Sequence, residues 1–324
     1  MNESFPNRRC VTIVTPVFNE AESLAAYEQR VRSVLFERAE DDVTVLLVDD
    51  GSRDGSWEMI EAMCRRDSRF RGLRLSRNFG SHAALAAGLH HATGDAVAIL
   101  ACDLQDPPEV VRQFLDEWHG GAQIVWGRRR TRVDSTWRVW ASQAFDNLTR
   151  RYAMPAGSKF TTGSFLLMDR RVLECYRQFR ERKRVTFALV AWTGFRQAVV
   201  DYDRQARVAG QSAWKLKHLI SAAYDTFLGF SKVPFGFMTA IGAGMFCLSI
   251  PICIYLLWCY VTGNPQPGWT SLMMALVMFF GLQFMFMSML GEYLSRIYCE
   301  AVDRPLYFVS DETTRDQESD RAVA

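Results

Sequence analysis

Ala96-Val97-Ala98-Ile99-Leu100-Ala101-Cys102-Asp103-Leu104-Gln105-Asp106-Pro107-Pro108-Glu109 is the stretch that decides the fold. Five apolar residues, Ala96 to Leu100, read as a short buried strand. Acidic and amide side chains follow at once, and two prolines then fix the loop. Carboxylate and amide oxygens are the hard ligands that suit Mg²⁺ or Mn²⁺. The turn is therefore a place to hold a cation at the end of a strand. A second carboxylate is expected two residues before Asp103, and Ala101 stands there instead.

The same alternation extends to both sides. β-Branched or apolar runs occur at Val11–Thr15, stopped by Pro16, and at Val43–Val48, followed by Asp49-Asp50-Gly51-Ser52. Leu73–Leu75 is a shorter run, and Ile124–Trp126 is another, ended by Gly127. Helical spacing separates them over Glu22–Ala39, Ser56–Arg66, Ser81–Ala92 and Glu109–His119. Strand–helix alternation of this kind predicts an α/β domain with a mostly parallel sheet and right-handed crossovers. Such sheets bind ligands beyond the carboxyl ends of their strands. Four of those ends carry polar chemistry: Asn19 and Glu20, Asp49 and Asp50, Asp103 and Gln105, Arg128 and Arg129.

The chain has 324 residues, 49% of them hydrophobic, but unevenly placed. No charged residue falls between Lys232 and Glu292. Within that interval Phe235–Val261 and Thr270–Gly291 are strongly apolar. A bilayer core of ~30 Å is spanned by about 20 helical residues, so two membrane helices are expected, joined by the turn-rich link Thr262–Trp269. That link has no Lys or Arg, whereas Lys215, Lys217 and Lys232 precede the first segment and Arg296 and Arg304 follow the second. Both termini are thus expected on the cytoplasmic side of the cell (inner) membrane, in a multi-pass arrangement. Met1–Cys10 has no apolar core of a signal peptide. The eight cysteines form no Cys-x-x-Cys pair, which argues against a zinc site or a disulfide framework. A net charge of +2 says little about partners, and no nucleic-acid partner is expected. Ser212–Lys232 mixes aromatic and basic residues, as helices in a membrane interface do, and Asp311–Ala324 reads as a disordered polar tail. The expected division is 1–210 for the sheet domain, 211–233 for a juxtamembrane helix, 234–297 for the membrane hairpin and 298–324 for the tail.

In order along the chain stand Val14-Thr15-Pro16-Val17-Phe18-Asn19-Glu20, Val48-Asp49-Asp50-Gly51-Ser52, Arg77-Asn78-Phe79-Gly80, Asp103–Glu109, Gly127-Arg128-Arg129 and Met168-Asp169-Arg170. Gly291-Glu292-Tyr293-Leu294, Arg296-Ile297-Tyr298 and Arg304-Pro305-Leu306-Tyr307 follow the apolar segments. The series resembles the inverting family 2 glycosyltransferases of GT-A fold, and among them the polyisoprenyl-phosphate type. The resemblance implies transfer of a sugar, with UDP-glucose the leading donor, from a nucleotide sugar to a polyprenyl phosphate such as undecaprenyl phosphate. It implies Pro16, Phe18, Glu20 and Asp49 as nucleoside contacts, and Asp103 and Gln105 as ligands of Mg²⁺ or Mn²⁺. Arg129 is implied at the donor phosphates. Asp50 is either a further nucleotide contact or a turn residue before Gly51. Arg128, Arg207, Lys215 and Lys217 are expected near the acceptor phosphate or the membrane surface. Gly236, Gly242 and Gly244 allow close helix contact, in keeping with a homo-oligomer.

The chain departs from the family pattern at Ala101, where an Asp is common, and at Ser164, where many members have an Asp that is a candidate catalytic base. Leu166 stands where Arg is common, and Ala213 where a basic residue is common. A phosphate monoester has a second pKa near ~6, so it is largely deprotonated at cytoplasmic pH and attacks without a strong base. Catalysis therefore survives Ser164 in the catalytic set. The alternative reading is a catalytically degenerate scaffold of the same fold. A processive polysaccharide synthase is disfavoured, because no Gln-x-x-Arg-Trp motif is present.

Overall fold

The computed structural model describes residues 8–37, 40–130, 165–181, 185–205 and 268–313, with seven further positions between 241 and 262. Expectations for 211–233, for the first apolar segment, and for Ser164, Arg207, Lys215 and Lys217 lie outside the described residues. The chain forms two compact units, Met1–Thr226 with Pro305–Ala324, and Phe227–Arg304.

The first unit begins β1 (Cys10–Val17), α1 (Ala21–Val31), β2 (Asp42–Asp49), α2 (Ser56–Arg66), β3 (Phe70–Leu75) and α3 (Ser81–His91). It continues β4 (Ala96–Ile99), α4 (Pro108–His119), β5 (Ile124–Arg129), β6 (Leu166–Asp169), α5 (Arg170–Gln178), α6 (Thr186–Trp192) and β7 (Gln197–Tyr202). One eight-stranded sheet has the order β7-β5-β6-β4-β1-β2-β3, completed at its far edge by β8 (Val309–Glu312). β1 pairs in parallel with both β2 and β4, so the strand order reverses beside β1. That reversal opens a crevice at the carboxyl ends of β1 and β4, the usual ligand position in open α/β sheets. β6 and β8 run antiparallel to their neighbours, so the sheet is mixed rather than wholly parallel.

The central strands are near-continuous apolar runs because both faces are covered. Ile13, Val14, Val45, Leu47 and Ala98 are fully buried. α3 is rich in alanine because it lies close on the sheet, with Ala84–Leu89 all buried. Arg177 on α5 closes the end of α3 by donating to the carbonyls of Leu89, His90 and Ala92, which satisfies terminal acceptors of the helix.

Several expected boundaries move. β1 runs through Pro16 to Val17, with Pro16 opposite Val48 near the strand end. Gly127 does not end β5, which continues to Arg129. Glycine is there for space: a Cβ would sit 2.9 Å from Tyr202 Cε1 and 3.1 Å from both Phe114 Cζ and Phe165 Cδ1. The helix after Glu20 turns into a π segment at Arg32–Phe36 instead of continuing to Ala39. Asp311 and Glu312, read as the start of a disordered tail, are strand residues paired with β3.

In the second unit, α7 (Trp269–Val302) is a single helix of 34 residues, about 51 Å long at ~1.5 Å per residue. It ends at Asp303, whose φ of 51° breaks the helix. Phe280, Phe284, Met287 and Leu294 on this helix are all exposed. Among the described residues taken alone, no helix is long and apolar enough to cross a membrane, so the expected pair of membrane helices is not shown.

Candidate functional site

The loops after β1 and β2 are knitted to each other by side-chain-to-backbone bonds. Asn19 takes the left-handed conformation (φ 53°), and its N–H donates to Ser52 Oγ at 2.9 Å. The Arg53 N–H donates to Asn19 Oδ1 at 3.0 Å. The Glu20 and Ala21 N–H groups, at the start of α1, donate to Ser56 Oγ and Asp54 Oδ2 at 3.1 and 3.0 Å. Burial alone would raise Asp54, but the hydrogen bonds from Ser56 and Ala21 outweigh it and hold the carboxyl below its ordinary value. Glu20 accepts from Ser23 Oγ at 2.9 Å, Phe18 is 44% exposed, and Pro16 is half-buried.

Asp49 and Asp50 are adjacent but do different work. Asp49 is fully buried, accepts from the Ser52 N–H at 3.2 Å and lies 3.4 Å from Arg74 Nε. Burial pushes its carboxyl up; the Ser52 bonds and the Arg74 charge pull the other way without cancelling that rise. Asp50 accepts from the Phe79 and Gly80 N–H groups at 2.8 and 2.9 Å, one on each oxygen. Its carboxyl too is raised, chiefly by burial. Through these two bonds Asp50 holds the 76–80 loop, a role consistent with the turn-residue alternative. Gly51 between Ser52 and Asp50 has φ 71°, and a Cβ there would lie 2.6 Å from the Arg77 carbonyl carbon. Both the conformation and the close backbone approach demand glycine.

Across the crevice, the turn after β4 presents Asp103, which is 8% exposed and accepts from the Gln105 N–H at 3.2 Å. Leu104 between them has φ 56°. Gln105 is tied to the far end of the domain: its carbonyl accepts from the Gln205 N–H at 3.0 Å, and its Oε1 accepts from Arg204. Asp106 is buried and accepts from Tyr202 Oη at 2.5 Å. Arg129 donates from Nε to the same hydroxyl at 3.3 Å and lies 3.7 Å from Asp106. Burial would lower the Arg129 guanidinium, but Asp106 and Tyr202 outweigh it and the pKa is raised. Burial and Asp106 raise the Tyr202 phenol. Arg129 is thus a fixed, permanently charged group beside Asp103.

The structure brings Pro16, Phe18, Glu20, Asp49, Asp50, Asp103, Gln105 and Arg129 to the carboxyl rim of one sheet. Arg128 is not with them. Strand alternation exposes it, and it makes a two-pronged pair with Asp201 at 2.5 and 2.8 Å. Arg74, Asp106, Tyr202 and Arg204 were not singled out from the sequence. Asp106 lies inside the quoted turn, and Arg74 stands three residues before Arg77-Asn78-Phe79-Gly80; Tyr202 and Arg204 belong to none of the quoted motifs.

Among the described residues, no three His, Cys, Asp or Glu side chains gather to hold a metal ion. Asp103 and Gln105 fit a hard divalent cation by donor type, as a partial set that leaves most of the shell to other oxygens.

The family model for glycosyl transferase family 2 matches residues 12–177, which contain every rim residue named above. An uncharacterized glycosyltransferase of Synechocystis sp. is 35% identical over 93% of this chain and 95% of its own length. The bactoprenol glucosyl transferase of Shigella phage SfV is 34% identical over 93% of this chain and 98% of its own. Among solved structures, glucosyl-3-phosphoglycerate synthase from Mycobacterium tuberculosis, in complex with Mn²⁺, UDP and glucosyl-3-phosphoglycerate, is 18% identical. It covers 71% of this chain and 82% of that one with a TM-score of 0.49, too low for the likeness to carry weight. A mostly parallel sheet with its polar residues gathered at the strand-order reversal, and full-length relatives above 30% identity, lead to one assignment: the chain belongs to glycosyl transferase family 2 and is a glycosyltransferase.

Proposed function

We propose that the chain transfers a hexose from a nucleoside diphosphate sugar, with UDP-glucose the leading donor, to a polyprenyl phosphate at the cytoplasmic face of the cell membrane. The observation that carries the reading is the pairing of Asp49 and Asp103 on opposite sides of the crevice beside β1. One rim offers a buried acceptor for a ribose hydroxyl or a base N–H; the other offers a carboxylate and a guanidinium for a pyrophosphate. The bactoprenol name of the phage relative supports the lipid acceptor.

In this reading Pro16, Phe18, Glu20 and Asp49 hold the nucleoside, and Asp103 and Gln105 hold Mg²⁺ or Mn²⁺. A divalent cation bound there neutralises charge on the departing diphosphate. Arg129 adds a second positive charge, fixed beforehand by Asp106 and Tyr202, so no reorganisation is needed when the charge develops. An oxygen of the lipid phosphate forms the new bond to C1 in line with the departing oxygen. The C1–O bond to the diphosphate breaks, its electron pair leaves with the nucleoside diphosphate, and the anomeric configuration inverts. The lipid phosphate is already anionic, so Ser164 in place of a carboxylate base is compatible with turnover.

The membrane part of the reading rests on the uncharged interval from Val233 to Gly291 and on the exposed apolar side chains of α7. It consists of a hairpin of 235–261 and 270–291, preceded by an interfacial helix at 211–233, with both termini cytoplasmic and the chains assembled as a homo-oligomer. Arg207, Lys215 and Lys217 then lie on the basic stretch leading to the membrane.

The test is to incubate membranes containing the chain with undecaprenyl phosphate, Mn²⁺ or Mg²⁺, and a panel of nucleotide sugars, and to weigh the lipid products. One hexose added to the lipid phosphate is the expected result. Nucleotide sugar consumed with no lipid product would replace the lipid acceptor in this reading by a soluble one.

A further inference from the structure

The edge strand β8 lies beyond the apolar helix in sequence, yet it completes the sheet on its nucleoside side. β3 would otherwise leave a row of backbone groups unpaired. β8 is only four residues long, and Phe308 before it is 56% exposed, so its docking depends on being fastened at both ends. At one end the Thr313 N–H donates to the Gly72 carbonyl at 2.9 Å, and Thr313 Oγ1 accepts from the Gly72 N–H at 2.6 Å. Gly72 is required there by space: a Cβ would sit 2.7 Å from Ile60 Cγ2 and 3.2 Å from Thr313 Oγ1. Glu312 meets Arg71 at 3.1 Å. At the other end the Ser76 N–H donates to the Phe308 carbonyl at 2.9 Å, and the Phe308 ring lies 6.3 Å from that of Phe79. Between them Ser310 Oγ donates to the Arg74 carbonyl at 3.3 Å.

The fastenings at Arg74 and at Ser76 touch residues that support the donor rim, and those at Gly72 and Arg71 hold the other end of the strand on β3. Arg74, opposite Asp311 in the β3–β8 register, carries the guanidinium that meets Asp49 and lies over the Trp57 ring at 5.6 Å. Ser76 opens the loop whose Phe79 and Gly80 N–H groups are held by Asp50. We propose that β8 with Phe308 and Thr313 is a positioning strap for the nucleoside end of the site, acting through Arg74 on Asp49 and through the 76–80 loop on Asp50. The proposal rests on Asp49 being a nucleoside contact. Strap docking and nucleotide binding then favour each other reciprocally, because each stabilises the same arrangement of β3 and its loop.

Calorimetry on the full-length chain with Mn²⁺ and UDP or GDP, whichever the wild type binds, tests this. Thr313→Val, which loses the hydroxyl at unchanged shape, is expected to weaken nucleotide binding about three- to tenfold and to raise the donor KM with kcat little changed; Thr313→Ser should restore both. Nucleotide affinity that stays at the wild-type value in Thr313→Val while Asp49→Asn weakens it would overturn the strap. Affinity unchanged in Asp49→Asn would instead overturn the donor-pocket reading beneath it. Hydrogen exchange on the wild type adds a measurement free of folding defects. Nucleotide with Mn²⁺ should slow exchange at the Ser76 and Thr313 amides, and no change at either would also overturn the proposal.

Discussion

The two rims of the crevice are built in opposite ways. The β1–β2 rim is held by short side chains bonding nearby backbone: Asn19 with Ser52 and Arg53, Glu20 with Ser56, Asp50 with Phe79 and Gly80. The β4–β5 rim is held by long-range side-chain partners: Gln105 with Arg204, Asp106 with Tyr202, Arg129 with Tyr202. The first arrangement suits a rigid receptor for a flat, neutral base and a ribose. The second holds charge concentrated and fixed in advance, which suits the proposed place of the pyrophosphate and its cation. The first rim thus joins residues 29 to 36 positions apart, and the second joins residues 73 to 99 positions apart.

The sharpest break between the rims should come from Asp103→Ala. It removes the carboxylate of the cation turn and is expected to lower the transfer rate by about 10²–10³, with the melting temperature little changed. Initial rates beside a thermal melt check this, and a variant within a few-fold of wild type would detach Asp103 from the chemistry. On the other rim the penalty should appear in stability. Asp50→Ala leaves two partly buried N–H groups without their acceptor and should cost about 1–3 kcal/mol, read from the urea midpoint. A loss of activity with unaltered stability would make Asp50 a ligand contact instead.

Ala101→Asp probes the ligand set proposed for the β4 turn. Adding the carboxylate should tighten Mn²⁺ about tenfold in the presence of nucleotide, comparable to one well-placed charged ligand. No gain would mean the side chain at 101 does not reach the cation. Tyr202→Phe removes the hydroxyl joining Asp106 to Arg129 and should cost about 1 kcal/mol of stability. It should lower kcat more than it weakens nucleotide binding, and the reverse split would place Tyr202 on the binding side.

The smallest effect is a pH dependence. Burial raises Asp49, so in the folded chain it takes up its proton at a higher pH than an ordinary carboxyl of ~3.9. The folded state therefore holds more protons than the unfolded state just above that value, and Asp49 lowers stability as pH rises through this window. If ionised Asp49 is the acceptor for the nucleoside, nucleotide affinity should fall on acidification with a midpoint above ~3.9. Asp49→Asn should lose that step, and an identical profile in the variant would assign the titration elsewhere.

The contrast between the rims also explains what was legible in the sequence. Val43–Val48 with Asp49-Asp50-Gly51, and Ala96–Leu100 with Asp103 and Gln105, announce strand ends because hydrophobic periodicity and polar turn chemistry change together within a few residues. Asp50 could not be assigned between ligand and turn, since its role depends on the 76–80 loop almost thirty positions on. Arg128 and Arg129 look alike in sequence, but the end of β5 leaves the first exposed and the second half-buried against Tyr202 and Asp106. β6 and β8 are four residues each, too short to show a period, and β8 is polar because an edge strand has one side open. Tyr202 and Arg204 carry no local signal, and only the pairing of β7 with β5 places them.

In the proposed function a nucleoside diphosphate bridges the two rims at the strand-order reversal. An experimental structure of the full-length chain with UDP and Mn²⁺ tests it most directly. The nucleoside is expected beside Asp49 and Glu20, and the pyrophosphate with its metal against Asp103 and Gln105, within reach of Arg129. Nucleotide bound away from the carboxyl ends of β1 and β4, or metal held without Asp103, would contradict it.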